Sequence, residues 1–229
     1  MQTKKLIKKL IKAIIPYGIL VLYRRRTQNY CPICKKYSSF ISYGFKQRPK
    51  AQCPHCGSLE RHRLLWMFFR KINLFNYKKA HILHFAAETC FETHFKKSFE
   101  NYLTADLYDK NAMQQIDITN IPYLDNSFDF IICNHVLEHI VDDIRAMREI
   151  FRVLKKKQMG AILLVPIANI DKTYEDFSIN TELGRAEAFG QPDHVRKYGK
   201  DYIDRLRSVG FNVALIKGRY AKDIGNEFV

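Results

Sequence analysis

Between Gly57 and Gly160 the chain has no glycine, and residues 1 to 80 contain one acidic side chain, Glu60, against 19 Lys and Arg. The first gap removes the usual means of turning a backbone tightly at a strand-to-helix junction. The second leaves the amino-terminal third with a net charge of +18, while residues 81 to 229 hold 19 basic against 22 acidic side chains, a net of −3. So uneven a distribution marks a surface that faces a polyanion or an anionic membrane. Long apolar runs are also scarce. The stretch from Ala13 to Tyr23 is 11 residues long and contains Pro16 and Gly18, against the roughly 20 residues that a bilayer-spanning helix needs. No small-residue cleavage site follows the basic start, only Arg24, Arg25 and Arg26, which argues against a secretory signal. A hydrophobic content of 47% excludes a disordered chain and is enough for one ordinary domain with a smaller appendage.

Residues 1 to 26 begin as an amphipathic helix, with Leu6, Ile7, Leu10, Ile11 and Ile14 on one face and Lys4, Lys5, Lys8, Lys9 and Lys12 opposite, until Pro16 interrupts it. Such a helix suits an anionic leaflet. The next unit, 27 to 78, holds Cys31-x-x-Cys34 and Cys53-x-x-Cys56, separated by 18 residues. That is zinc-ribbon spacing: two tight knuckles bring four thiolates around one tetrahedral Zn2+, a closed and therefore structural site. A redox pair or disulfides are the competing account. Cys90 and Cys133 are isolated in apolar runs, and the whole pattern fits a reducing, cytoplasmic compartment. A connecting helix follows over 58 to 75, with Ser58 as its cap and Leu59, Leu65, Trp66 and Phe69 on its buried side.

From residue 79 to 229 the rhythm alternates. Strands are expected at "HILHFA", "YLTADL", "FDFIICN", "AILLVPI" and "FNVALIKG", and helices near 90–99, 137–157 and 200–209, the last-but-one ended by Gly160 with Lys155 to Lys157 at its carboxyl end. This is an α/β pattern, a mainly parallel, Rossmann-like sheet with helices on both faces. Ligands of such sheets bind beyond the carboxyl ends of the strands. The residues to watch are therefore His84, Phe85, Ala86 and Glu88, then Asp106 with Leu107, then Asp117 with Ile118, then Asn134 with His135. Asp106 follows His84 by 22 positions, about where nucleoside-binding folds place a carboxylate on ribose hydroxyls.

The segment "DITNIPYLDNSFDFIICNHVLEHI" closely resembles the class I S-adenosylmethionine-dependent methyltransferases of the type 11 group, through Asp117, Ile118, Pro122, Ser127, Phe128, Asp129, Leu137, Glu138, His139 and Ile140. The resemblance implies S-adenosylmethionine as cofactor, Asp117 on its adenine amino group with the Ile118 backbone beside it, and Asp106 on its ribose. It also implies a glycine-rich loop after the first strand, where this chain has "HFAAE", similar to the "HFAPE" of a bacterial subgroup in which CxxC pairs also precede the fold. Beyond "FNVALIKG" the family continues to a final antiparallel strand; here the sheet edge is expected to be shorter.

A hydroxyl acceptor needs a general base, and His135 just past the expected strand "FDFIICN" is placed for it, with His194 in "FGQPDHVRKYG" as a second candidate. His135 and His139 stand four apart, as a metal pair on a helix would, but the resemblance assigns His139 to packing. The leading expectation is O-methylation of a glycan or lipid-linked glycan precursor by an enzyme resting peripherally on the inner face of the membrane. An RNA methyltransferase, with ribbon aromatics Tyr37, Phe40, Tyr43 and Phe45 available for stacking, is the runner-up. A non-catalytic, zinc-stabilised binding module is the third.

Overall fold

The computed structural model describes residues 28–44, 47–156 and 159–215. The basic helix expected over residues 1 to 26, and Phe45, lie outside them. Among the described residues no helix is long and apolar enough to cross a membrane. The chain divides into two compact units, Met1–Phe68 and Phe69–Val229.

The first unit is two small antiparallel hairpins and a helix. β1 (Asn29–Cys31) pairs with β2 (Lys36–Ser38), β3 (Ile41–Tyr43) pairs with β4 (Arg48–Gln52), and α1 spans Glu60–Lys71. Each knuckle closes by the same device. The residue after the second cysteine takes a left-handed backbone, Lys35 at φ 57° and Gly57 at φ 69°, and donates its N–H to the carbonyl of the first cysteine, 2.8 and 2.9 Å. Arg63 ties α1 to the hairpins, donating to the Ser58 and Ala51 carbonyls and lying 4.5 Å from the Phe40 ring centroid. Phe40 is thereby buried and committed, so it is not available for stacking on a ligand. Nor does Ser58 cap α1: the Leu59 N–H donates to His62 Nδ1 at 3.2 Å instead, and the Ser58 hydroxyl turns toward the thiols. Leu59, Leu65, Trp66 and Phe69 are buried as expected.

The second unit is built on a five-stranded, wholly parallel sheet, whose strands are β5 (His81–Phe85), β6 (Asn101–Asp106), β7 (Gln114–Gln115), β8 (Phe130–Asn134) and β9 (Gly160–Leu164), ordered β7-β6-β5-β8-β9. Every residue of β8 is buried, the signature of a strand covered on both faces. From β5 the chain steps to β6 on one side through α2 (Thr89–Ser98); from β8 it steps to β9 on the other through α3 (Asp143–Val153). Right-handed crossovers taken in opposite directions put those helices on opposite faces. Side-chain alternation agrees. Leu83, Phe85, Ile131 and Cys133 join Ala146, Met147 and Ile150 in one core, whereas His84 and Phe130 meet the Phe69, Phe91 and Phe95 rings on the other face.

Three expectations need correction. The helix expected over 137–157 is broken: Leu137–His139 form a single 3-10 turn, and α3 begins only at Asp143, capped by the Asp142 carboxylate on the Arg145 N–H. The cause is Arg196, 1% exposed, whose guanidinium takes the Leu137, Ile140 and Val141 carbonyls that an unbroken helix would use internally. Gly160 opens β9 rather than ending the helix, and Lys155 pairs with Asp129 at 2.9 Å. Residues 211 to 215 form no strand; Phe211 instead packs on Phe151. The structure also contains elements the periodicity did not signal: hairpin β10 (Tyr174–Glu175) with β11 (Arg196–Lys197), and α4 (Glu182–Phe189), ahead of the expected α5 (Tyr202–Ser208).

Candidate functional site

The four ribbon cysteines converge as their spacing predicts. One donor atom from each of Cys31, Cys34, Cys53 and Cys56 lies within 4.8 Å of the others. The Cys31–Cys56 and Cys34–Cys53 sulfur pairs are 3.6 and 3.8 Å apart, far beyond an S–S bond. With Zn–S near 2.3 Å, the edge of a regular tetrahedron is about 3.8 Å, so the thiols already stand at the corners a zinc ion requires. Ser58 Oγ sits 3.3 and 3.2 Å from Cys31 and Cys56 Sγ, an outer hydroxyl that steadies two of the four sulfurs. The site is closed and offers no open position for substrate.

The second cluster lies beyond the carboxyl ends of the parallel strands, where β5 meets β8 and the chain reverses its direction across the sheet. Both strands end in a left-handed residue, Ala86 at φ 47° and His135 at φ 55°. For an alanine this conformation costs about 1–2 kcal/mol. It is the turn glycine usually makes, held here by the Ala86 N–H on the Ala105 carbonyl at 2.9 Å. The turn delivers Glu88 across the strand reversal. One carboxylate oxygen contacts His84 Nε2 at 2.9 Å, the other accepts from Asn134 Nδ2 at 3.1 Å, and His84 Nδ1 meets the Tyr102 hydroxyl at 2.9 Å. His84 and Phe85 are buried. Both ring nitrogens of His84 are committed, so it positions Glu88 and does not reach a ligand itself, and Phe85 belongs to the core.

Asp106 ends β6, and Asp117 lies two residues past Gln115, the β7 partner of Asp106 in register. Each spends Oδ1 on its own turn, Asp106 on the Tyr108 and Asp109 N–H groups and Asp117 on the Thr119 N–H and hydroxyl. Leu107 is 42% exposed beside the first, and Ile118 is buried beside the second. The two acids thus stand on neighbouring strand ends, with turns that fix their carboxylates.

On the β8–β9 side, His135 Nδ1 contacts Glu138 Oε1 at 3.2 Å, and the His135 N–H donates to the Leu164 carbonyl at 2.7 Å. Three buried polar atoms here have no protein partner: Asn134 Oδ1, His135 Nε2 and Glu138 Oε2. Buried groups of this kind are rare and call for an occupant. His194, 5% exposed, meets the His139 ring edge-on at 4.8 Å. Burial pushes its pKa below the ordinary value, against the opposing pull of Glu138. A recess of about 180 Å³ opens alongside, walled by Glu138, His194, Arg196 and Lys197 with Pro166 and Phe189. The His135–His139 pair is not a helical metal pair, because His135 precedes the 3-10 turn. Glu138 was legible only as part of a motif, although its position three residues after His135 is the signal that links them.

These groups have the chemistry that S-adenosylmethionine would need: acids on two neighbouring strand ends, a carboxylate at the strand reversal, and buried polar atoms without a protein partner nearby. Comparisons with known proteins agree. Residues 80–162 match the family model described as a methyltransferase domain. The chain is similar to an uncharacterized methyltransferase of Bacillus subtilis, YcgJ, at 35% identity over 85 residues, 37% of this chain and 31% of that protein. It is also similar to a 2-phytyl-1,4-naphtoquinone methyltransferase of Nostoc punctiforme, at 29% identity over 125 residues, 45% of this chain and 50% of that one. The chain therefore spans between about a third and a half of these relatives. Among solved structures, a Burkholderia thailandensis 1,6-didemethyltoxoflavin-N1-methyltransferase with bound S-adenosylhomocysteine shares the fold, with a TM-score of 0.50 at 12% identity over 72% of this chain and 73% of that one. Residues 80–162 thus match a methyltransferase domain in sequence, and the parallel β7-β6-β5-β8-β9 sheet belongs to the fold that the solved methyltransferase shares.

Proposed function

We propose that the protein transfers a methyl group from S-adenosylmethionine to a hydroxyl oxygen, on a glycan or lipid-linked glycan precursor at an anionic membrane surface. The observation that carries the transferase reading is the arrangement around the strand reversal: Glu88 bridges β5 to β8, and Asp106 and Asp117 occupy the next two strand ends. When bound, the cofactor supplies an electrophilic methyl on its sulfonium. Asp106 and Asp117 would hold its ribose and adenine, and Ala86 with Glu88 would line its amino-acid end. The chain's remaining tasks are to place the acceptor and take its proton. With its Nδ1 proton donated to Glu138, His135 keeps Nε2 as the acceptor for a hydroxyl proton, the orienting logic of a carboxylate-held imidazole.

The net +18 of residues 1 to 80, with Lys4, Lys5, Lys8, Lys9 and Lys12 spaced to share one face of the helix expected there, supports the anionic surface. RNA is the second reading, favoured by the ribbon: Tyr30 and Tyr37 lie 4.9 Å apart, and with Tyr43 they are 40% exposed or more. Calorimetry with S-adenosylmethionine tests the transferase reading. Wild type is expected to bind, and D106A and D117A to bind at least about tenfold more weakly. No binding at high micromolar cofactor would leave a binding module. Transfer of labelled methyl into fractionated lysate then names the acceptor: label in lipid-linked glycan supports the first reading, and label in RNA replaces it with the second. Loss of liposome pelleting on deleting residues 1–26 supports the membrane surface.

A further inference from the structure

We propose a second metal site, for a first-row divalent transition ion, formed by Glu138, His139 and His194 on the wall of the acceptor recess. The three residues each present a donor atom, all within 4.8 Å of one another. Glu138 is 1% exposed; its Oε1 is taken by His135, and its Oε2 is buried with no partner. A buried carboxylate oxygen without a hydrogen bond is costly unless something cationic meets it.

The two imidazoles are turned for the same task. His139 Nδ1 sits 3.2 Å from the Asp193 carbonyl and 3.3 Å from its carboxylate, which leaves Nε2 as the donor. His194 is 5% exposed and meets the His139 ring edge-on. A ligating histidine whose other nitrogen is fixed by a carbonyl or carboxylate is the usual outer arrangement of a metal site, since it sets the tautomer and the ring angle. The loop carrying His194 is locked to the turn carrying the other two. The Val195 N–H donates to the Glu138 carbonyl at 2.9 Å, and Arg196 holds the Leu137 carbonyl at the same distance. The cluster is therefore built before any ion arrives.

One carboxylate and two imidazoles favour Mn2+, Fe2+, Co2+ or Zn2+ over Mg2+ or Ca2+, which prefer all-oxygen shells. Three protein ligands leave coordination positions open, as catalytic rather than structural sites do. Glu138 and His194 also line the recess that has Arg196 and Lys197 among its other walls, so the ion would seat an oxygen donor of the acceptor. That role rests on the methyl-transfer reading, whereas binding of the ion does not.

The test is a Mn2+ titration of the full-length, zinc-loaded protein followed by electron paramagnetic resonance, with added Zn2+ as competitor. One Mn2+ per chain is expected beyond the ribbon zinc, weakened at least about tenfold in H139A and H194A, with K197A, a recess wall that is not a ligand, unchanged. E138Q, which keeps the side chain's shape, should lose the ion even if the histidine variants fold poorly. Absence of any ion beyond the ribbon zinc, or equal binding in all variants, overturns the proposal. Calorimetry of the same variants with S-adenosylmethionine separates this failure from failure of the transferase reading, because the ligand set lies outside Asp106 and Asp117.

Discussion

Replacing Glu88 tests the centre of the site in two ways. In E88A, His84, fully enclosed, loses the partner of its Nε2, and Asn134, 4% exposed and already holding an unpartnered Oδ1, loses the partner of its Nδ2. Two buried groups left unsatisfied, each worth about 1–3 kcal/mol, give a loss of about 2–6 kcal/mol. For a chain of this size that lowers Tm by about 10 °C. E88Q keeps the shape. Its amide oxygen can accept from Asn134, and its amide nitrogen can donate to His84 Nε2 once the His84 proton sits on Nδ1 and is donated to the Tyr102 oxygen. Its cost in stability should be about 1 kcal/mol or less, while removal of the negative charge near the cofactor's amino group weakens S-adenosylmethionine at least about tenfold. Urea unfolding by far-ultraviolet circular dichroism and calorimetry with the cofactor read the two effects separately. If E88A is destabilised by less than about 1 kcal/mol, Glu88 does not join β5 to β8 and the reasoning fails.

Ala86→Gly exchanges a left-handed alanine costing about 1–2 kcal/mol for a residue that loses about 0.4–1 kcal/mol more chain entropy on folding, so a net gain near 0.5 kcal/mol is expected in the same urea assay. Asp143, 2% exposed, accepts from Arg205 Nε and Nη2 and from the Tyr198 hydroxyl; D143A leaves Arg205 with Glu175 and the Tyr198 hydroxyl with its longer bond to the Leu137 carbonyl, so it should cost about 1–3 kcal/mol, and no measurable cost would contradict this. Burial opposes ionisation of Asp129, yet the His81 N–H and the Lys155 ammonium outweigh it and hold its carboxyl below the usual value. Its folded pKa being the lower one, the stabilisation is present above the unfolded value near 4 and is lost as pH falls through the folded value; acid titration of stability should be shallower in D129N. Zinc analysis should give one zinc held by the ribbon, and stripping it with a strong chelator should melt the β1–β4 hairpins while leaving the parallel sheet folded.

Much of this was legible in residue order because the signals are local. The CxxC spacing brought the four thiols together, since a knuckle is a turn of a few residues, and the apolar run "FDFIICN" announced the strand that is β8. The positions of Asp106 and Asp117 near neighbouring strand ends were legible because the apolar runs stop just before them. The helix over 137–157 was misread for a nonlocal reason. Its apolar stripe is genuine, but Arg196, 59 residues beyond Leu137, takes the carbonyls that would have continued it. Ser58 reads as a cap until the thiols of Cys31 and Cys56 come within reach of its hydroxyl.

Sequence alone determined the four-cysteine ribbon, the α/β alternation, the methyltransferase resemblance and the separation of charge, each written within a few residues or in bulk composition. Only the tertiary structure decided that His84 serves Glu88 rather than a ligand, that an alanine makes the glycine's turn, and that His194 returns beside Glu138 and His139. Those outcomes depend on which groups remain without a partner once distant segments pack, and hydrogen-bond demand is balanced over the folded whole, not along the chain.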